Sequence, residues 1–247
     1  MKIAVISDIH GNMQALSAVM QDIETQKCDR IFVLGDYAMA GPQPRETVQF
    51  FMEKLNDRKY TMIQGNTDLM IANYSEDLYD MIHDSAPIMA QALKLDTKEL
   101  SNLEKAFLIT LPEKIEVTAG GIKFLLVHGS PRRNNEDILP NTMLDKVEKM
   151  LANVKADVVL CGHTHIPCGF QTRTKKTVIN AGSVGRPFTP EPKACYLTII
   201  VDKGACEYEH HFVDYDKNTA YEILKKRNFW GADTLANTLL NPEKRHF

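Results

Sequence analysis

Five times between Lys2 and His165, this chain runs a short apolar stretch into a glycine-containing turn that carries metal-ligating side chains. Lys2–Ser7 leads into Asp8 and His10, Ile31–Leu34 into Asp36, and Thr61–Ile63 into Asn66 and Asp68. Lys123–Val127 ends on His128, and Val158–Cys161 ends on His163 and His165. Apolar runs this short, with little alternation, predict strands covered on both faces. Ligand sites in α/β sheets form beyond the C-terminal ends of their strands. Five strand ends bearing carboxylate, amide or imidazole groups therefore predict one shared site.

The segments between the first strands carry helical spacing. Leu16, Val19, Met20 and Ile23 fall at i, i+3, i+4 and i+7, and Val48, Phe51, Met52 and Leu55 repeat the pattern. Strand–helix–strand order predicts parallel strands with right-handed crossovers. Leu69 to Phe107 changes character and contains no strand pattern. Asp96 followed by Glu99 predicts a helix N-terminal cap, and Leu100, Leu103 and Phe107 predict one apolar face. This helical insertion reads either as a cap, at about 69–110, or as ordinary packing against the sheet edge.

Strands are expected again at Lys114–Val117 and Lys123–Val127, around the turn Ala119-Gly120-Gly121, and a helix at Thr142–Leu151. Gly169–Thr172, Thr177–Ile179, Tyr196–Val201 and Cys206–Phe212 follow without a helix of useful length between them. They are therefore expected to pair partly antiparallel. A helix from Lys217 to about Lys226 and a polar C-terminal tail complete the expectation. No repeat or linker divides the chain, so residues 1–247 are expected to form a single domain.

Bulk properties exclude several classes. The 247 residues are 44% hydrophobic and 25% charged, an ordinary globular balance that is long enough to bury a core without disulfides. A net charge of -3 gives no basic field for general nucleic-acid binding. The five cysteines (28, 161, 168, 195 and 206) show no disulfide framework. No signal-peptide core or membrane span is legible. A cytoplasmic protein with reduced thiols is expected.

Taken in order, Asp8-Ile9-His10-Gly11-Asn12, Gly35-Asp36, Gly65-Asn66-Thr67-Asp68, Val127-His128-Gly129-Ser130 and Gly162-His163-Thr164-His165 resemble the calcineurin-like metallophosphoesterase superfamily. Asn180-Ala181-Gly182-Ser183-Val184-Gly185 resembles a further loop of its small bacterial, phosphodiesterase-like members. The resemblance covers about residues 1 to 200. It implies an α/β fold, a four-layer α-β-β-α sandwich of two mixed sheets flanked by helices. It also implies two divalent metal ions per chain: one held by Asp8, His10, Asp36 and His165, the other by Asp36, Asn66, His128 and His163, with Asp36 bridging. Mn²⁺, Fe or Zn²⁺ suit this mixed oxygen and nitrogen set. The implied activity is hydrolysis of phosphate esters, by hydroxide generated at the metal pair attacking phosphorus in line. Asp36, His128 and Asn66 would act through the metals.

One position departs from the pattern. Many members carry a histidine directly after the motif asparagine, where it protonates the leaving group; here that residue is Thr67. A threonine hydroxyl is a poor acid near neutral pH, and general acid catalysis is typically worth about 10²–10⁴-fold. Phosphodiesters with good leaving groups are therefore the first expectation. Phosphomonoesters, dinucleoside polyphosphates and phosphoprotein Ser/Thr phosphatase activity stand behind, with a non-catalytic scaffold on the same fold as the remaining alternative. Asp68 is a candidate for acting through a water, or for capping its loop. Asn12, Arg132, Arg133, Ser183 and Arg186 are candidate contacts to a small phosphate ester or nucleotide, with a helix N-cap the favoured role for Asn12. His83, His210, His211 and His246 lie outside the motifs and are expected at the surface or in structural roles. Cys161 is expected to be a buried thiol. The oligomeric state is not legible.

Overall fold

A computed structural model describes residues 1–242. One sheet has the order β10-β9-β1-β2-β3, formed by β1 (Lys2–Ile6), β2 (Arg30–Val33), β3 (Tyr60–Met62), β9 (Ala194–Asp202) and β10 (Ala205–Val213). The other runs β4-β5-β6-β8-β7, formed by β4 (Lys114–Ala119), β5 (Ile122–Val127), β6 (Val158–Cys161), β7 (Cys168–Gln171) and β8 (Thr177–Asn180). β1, β2 and β3 pair parallel, as do β5, β6 and β8. β9, β10, β4 and β7 join antiparallel. Both sheets are mixed, and the chain is α/β, as the sequence predicts.

Side-chain alternation along the strands builds the layers. Ile3, Val5, Phe32, Leu34, Leu197 and Ile199 of the first sheet meet Phe124, Leu126, Leu160 and Ile179 of the second in one buried cluster between the sheets. Ala4, Ile6, Ile31, Val33 and Tyr196 point the other way, onto helices. Of these helices, α1 (Met13–Thr25) offers Ala15, Leu16, Val19 and Ile23, and α2 (Pro44–Glu53) offers Val48 and Phe51. Burial of one such side chain contributes roughly 1.5–3 kcal/mol. Leu125, Val127, Val159, Cys161 and Val178 face outward from the second sheet and meet Val147 and Met150 of α7 (Leu144–Met150). Two packed sheets thus lie between two helical layers.

Between β3 and β4 run α3 (Asn66–Ala72), α4 (Glu76–Ser85), α5 (Pro87–Glu99) and α6 (Asn102–Thr110). Ile71, Ile88, Leu93, Leu100, Phe107 and Leu108 of this segment join the core above the first sheet, whereas α4 buries no residue. Two local expectations fail here. Asp96 lies inside α5 and caps nothing; the capping box belongs to Ser101 and Glu104 at the start of α6. Asp96 is drawn instead into a buried ion pair with Arg227, 2.6 Å from its Nη2. Leu103 does not share the buried face of Leu100 and Phe107; it is 70% exposed. Leu55 likewise falls beyond the end of α2, in solvent.

After α8 (Lys217–Lys225) the sequence reading expected only a polar tail. The chain instead forms α9 (Ala232–Leu240), which buries Ala232, Leu235, Ala236 and Leu239. Those four residues stand at i, i+3, i+4 and i+7, so the helical signal was present. Residues 243–247, including His246, lie outside the described residues. Among the described residues, no helix is long and apolar enough to cross a membrane.

Candidate metal centre

The turns after β1, β2, β5 and β6 converge at one end of the two sheets and bring Asp8, His10, Asp36, His128 and His165 together. His10 Nε2 lies 3.1 Å from His165 Nε2 and 3.6 Å from Asp36 Oδ2. His165 Nε2 lies 3.2 Å from Asp8 Oδ1, and His128 Nε2 lies 3.3 Å from Asp36 Oδ2. Two groups have ligand atoms close enough to share an ion: Asp8, His10 and His165, and Asp8, Asp36 and His128. All five residues are buried.

The orientation of each ring is set from behind. Nδ1 of His10 faces the Met39 carbonyl at 2.9 Å, Nδ1 of His128 the Leu34 carbonyl at 2.7 Å, and Nδ1 of His165 the Arg186 carbonyl at 2.6 Å. A carbonyl can only accept, so each Nδ1 carries the proton and donates it. That tautomer leaves the Nε2 lone pair directed into the cluster, the arrangement found behind metal-binding histidines. The carboxylates are divided in the same way. Asp8 Oδ2 accepts from His163 N at 3.0 Å, and Asp36 Oδ1 accepts from Thr67 N at 3.0 Å. Asp8 Oδ1 and Asp36 Oδ2 are left facing the imidazoles.

The backbone is bent to make this possible. Asp8, His10, Asp36, His163 and His165 all adopt positive φ, at 55°, 47°, 56°, 67° and 59°. A non-glycine residue held there costs of the order of 1–3 kcal/mol. Neighbouring glycines permit the tight approach of the turns. A Cβ on Gly65 would stand 2.0 Å from Asp36 Oδ1, and one on Gly162 would stand 2.0 Å from Ser7 Oγ. Met39 and Ala40, in the loop that receives the His10 proton, are also left-handed. That loop is held by Asp96 Oδ2, which accepts from Ala40 N at 2.8 Å, and by Arg227 Nη1, which donates to the Gly41 carbonyl at 2.9 Å.

The residues fit a cationic group. Asp8 Oδ1, Asn66 Oδ1 and His128 Nε2 are buried without a hydrogen-bond partner, a costly state for polar atoms unless an ion satisfies them. The electrostatics agree. Burial alone would raise the Asp8 carboxyl, but His165 and His128 hold it down at about 2. Asp36 is likewise held well below the ordinary carboxylate range against burial, chiefly by His128. The same carboxylates overcome burial at His128 and lift its pKa to about 10, whereas burial and His165 push His10 down to about 3. A protonated His128 could not lend its Nε2 lone pair. The raised value expresses the demand of Asp8 and Asp36 for positive charge, which a divalent cation meets without the proton.

The remaining candidates divide. His163 stands at the rim, its ring 5.4 Å from that of His128, with Nε2 3.3 Å from the exposed Asp137. Asp68 binds backbone: its Oδ2 accepts from Asp36 N and Gly65 N, both at 2.8 Å, and its Oδ1 from Tyr37 N at 3.0 Å. Burial, then Asp36, lifts its pKa to about 7. Asn12 caps α1 through Ala15 N and donates its amide to the Gly185 carbonyl. Ser183 donates to the Asp8 carbonyl at 2.7 Å and accepts from Arg186 N. Asn12 and Ser183 thus spend their polar atoms on the frame of the site. Arg186 is buried, with Asp36 close enough to act on its charge. Arg132 and Arg133 both pair with Glu136 and line a small opening with His128 and Ser130. Cys161 is a buried thiol, raised by burial.

Sequence reasoning did not find the carbonyls of Leu34, Met39 and Arg186, because any residue can supply one. It also missed Asp137 and Arg227, which lie outside every motif, and gave Asp96 only a capping role.

Residues 1–204 match the calcineurin-like phosphoesterase superfamily domain. The chain is 32% identical over 241 residues to an uncharacterized protein of Methanocaldococcus jannaschii, covering 91% of this chain and 93% of that one. Its fold resembles that of a hypothetical protein from Pyrococcus horikoshii OT3 (TM-score 0.87, 23% identity, 99% of each chain covered). It also resembles that of a metallophosphoesterase from Sphaerobacter thermophilus (TM-score 0.78, 24% identity, 97% of this chain and 98% of the other).

Proposed function

This chain belongs to the calcineurin-like phosphoesterase superfamily, and from that premise we propose that it hydrolyses phosphodiesters at a centre of two divalent cations. The observation that carries this reading is the convergence of three imidazole Nε2 atoms, each with Nδ1 tied to a backbone carbonyl, on Asp8 and Asp36. In this reading Asp8, His10, Asp36 and His165 hold one ion, and Asp36, Asn66, His128 and His163 hold the other. Mn²⁺, Fe or Zn²⁺ suits such a donor set. Ions of this kind supply Lewis-acid charge to phosphoryl oxygens and acidify water for in-line attack.

The chain's own residues do the rest. Asp68 ties the turn after β2 to the turn before α3, which fixes the Asp36 backbone. Arg186 supplies a buried positive charge beside the centre, while Arg132 and Arg133 stand at the opening for an incoming phosphate. Thr67 is buried and offers no effective proton to a departing alkoxide. Leaving groups stable as anions are therefore favoured. The helical segment α3–α6 acts as a cap within a single domain; Met89 of α5 reaches within 3.6 Å of Arg186 Nη1. Five free thiols suit a reducing cytoplasm.

The test is a substrate panel on chelator-stripped protein with single metals restored. An aryl phosphodiester is expected to turn over faster than an alkyl phosphomonoester. Faster turnover of the monoester would overturn the diester preference, and no turnover with any metal would overturn the hydrolase reading.

A further inference from the structure

Two charged side chains from outside the ligand turns meet behind His10. Arg227 lies in the turn between α8 and α9, beyond the residues 1–204 that match the superfamily domain. Asp96 lies in α5, and the two side chains are 7% and 0% exposed. Both spend polar atoms on one short stretch of backbone. Asp96 Oδ2 accepts from Ala40 N, Arg227 Nη1 donates to the Gly41 carbonyl, and Arg227 Nη2 pairs with Asp96 Oδ1.

The stretch they hold wraps His10. Gly41 packs so closely that a Cβ on it would stand 1.5 Å from the His10 carbonyl oxygen. The Met39 carbonyl accepts the proton on His10 Nδ1. That carbonyl and the Ala40 N–H are the two ends of one planar peptide group and point in opposite directions. Asp96 therefore grips the far end of the same peptide that orients the His10 ring. A charged acceptor at the N–H end also polarises the carbonyl and strengthens its bond to Nδ1. Met39 and Ala40 hold φ of 76° and 63°, a conformation that persists only where its surroundings over-determine it.

Stability alone is a weak reason for such a pair. The desolvation of two buried charges opposes their attraction, and apolar replacements of similar volume are often neutral or stabilising. The direction of the polar atoms gives a better one. We propose that Asp96 and Arg227 are positioning residues for His10, acting through the Met39–Ala40 peptide to keep its Nε2 lone pair aimed at the cation. The inference rests on the reading of the cluster as a cation site. It gives the C-terminal helical segment, through Arg227, a share in building that site.

The test replaces the pair by apolar side chains, Asp96→Leu together with Arg227→Met, and reads the ring and the metal separately. Nitrogen NMR of the metal-free proteins follows His10. The wild type is expected to hold the Nδ1–H tautomer, and the exchanged protein to mix both tautomers. Mn²⁺ titrated calorimetrically is expected to bind the exchanged protein about 10–100-fold more weakly. In a His10→Ala background the same exchange is expected to change Mn²⁺ affinity by less than about twofold, because its effect runs through His10. Asp96→Asn keeps an oxygen for the Ala40 N–H and removes the charge. It is expected to shift both readouts in the same direction and serves if the exchanged protein does not fold. An unchanged tautomer and unchanged Mn²⁺ affinity in a folded variant would overturn the proposal and leave the pair as an anchor for the C-terminal helices. So would an equal loss of affinity in the His10→Ala background. A tautomer that mixes on exchange, in a protein whose wild type binds no Mn²⁺, would count against the cation reading and leave the positioning of His10 standing.

Discussion

The two sides of the metal centre are built differently. On the side of His10 and His165, both rings are buried, tied through Nδ1 to carbonyls, and 3.1 Å apart at Nε2. On the side of His163 and Asn66, the His163 side chain is 19% exposed and its Nε2 is turned to Asp137, itself 59% exposed. Asn66 Oδ1 is buried but makes no hydrogen bond. The first side is preorganised for an ion. The second, in the proposed assignment, must give up an ion pair at its rim to complete its set. Preorganised sites bind more tightly because less is reordered on binding. The two proposed cations are therefore expected to bind with unequal affinity.

The largest expected effect removes the residue proposed to bridge the two cations. Asp36→Asn should lower metal content at both positions and reduce turnover by at least about 10²–10³-fold. Full metal content by elemental analysis, with undiminished turnover, would break the bridging assignment. Next, calorimetric metal titration should show two phases. His10→Ala should weaken the tighter phase, and His163→Ala only the weaker one, each by roughly 10–100-fold in affinity. Identical losses from both variants would erase the distinction between the sides. Thr67→His should add alkyl monoesterase turnover of about tenfold, part of the usual worth of a general acid. No gain with metals retained would separate the leaving-group problem from this position. The smallest effect belongs to the rim. Asp137→Asn should release His163 and tighten the weaker phase by up to about tenfold, or 1.4 kcal/mol. A weaker second phase would instead make Asp137 part of the site.

Much of this was legible in the sequence, because strand ends announce themselves. An apolar run followed by Gly and Asp or His carries both the strand and the turn, and four of the five runs meet in one cluster, with the fifth tied to it through Asp68. Legibility failed where a residue's role depends on a distant partner. The Asp96 and Glu99 pair imitates a cap, but Arg227 decides the fate of Asp96 from the far end of the chain. Ser183 looks like a substrate contact only until the Asp8 carbonyl comes within reach, whereas the helix cap favoured for Asn12 is the role the structure gives it. The tautomers of His10, His128 and His165 rest on carbonyls, which no sequence pattern marks. The helix α9 is a different kind of failure, since its apolar spacing was there to be read.

The left-handed backbone at Asp8, His10, Asp36, His163 and His165 has a consequence beyond catalysis. In the proposed reading, the chemistry of the centre keeps aspartate and histidine at these positions against the cost of the backbone. Glycine would relieve the backbone at each of them, so a lineage that ceased to need the proposed reaction could exchange these side chains, and the hydrogen bonds they make to the turns, for a relaxed chain. The frame is thus free to outlive its chemistry. A descendant with these five positions relaxed would keep the two sheets intact and offer the vacated end of the sandwich as a plain surface for other proteins to use.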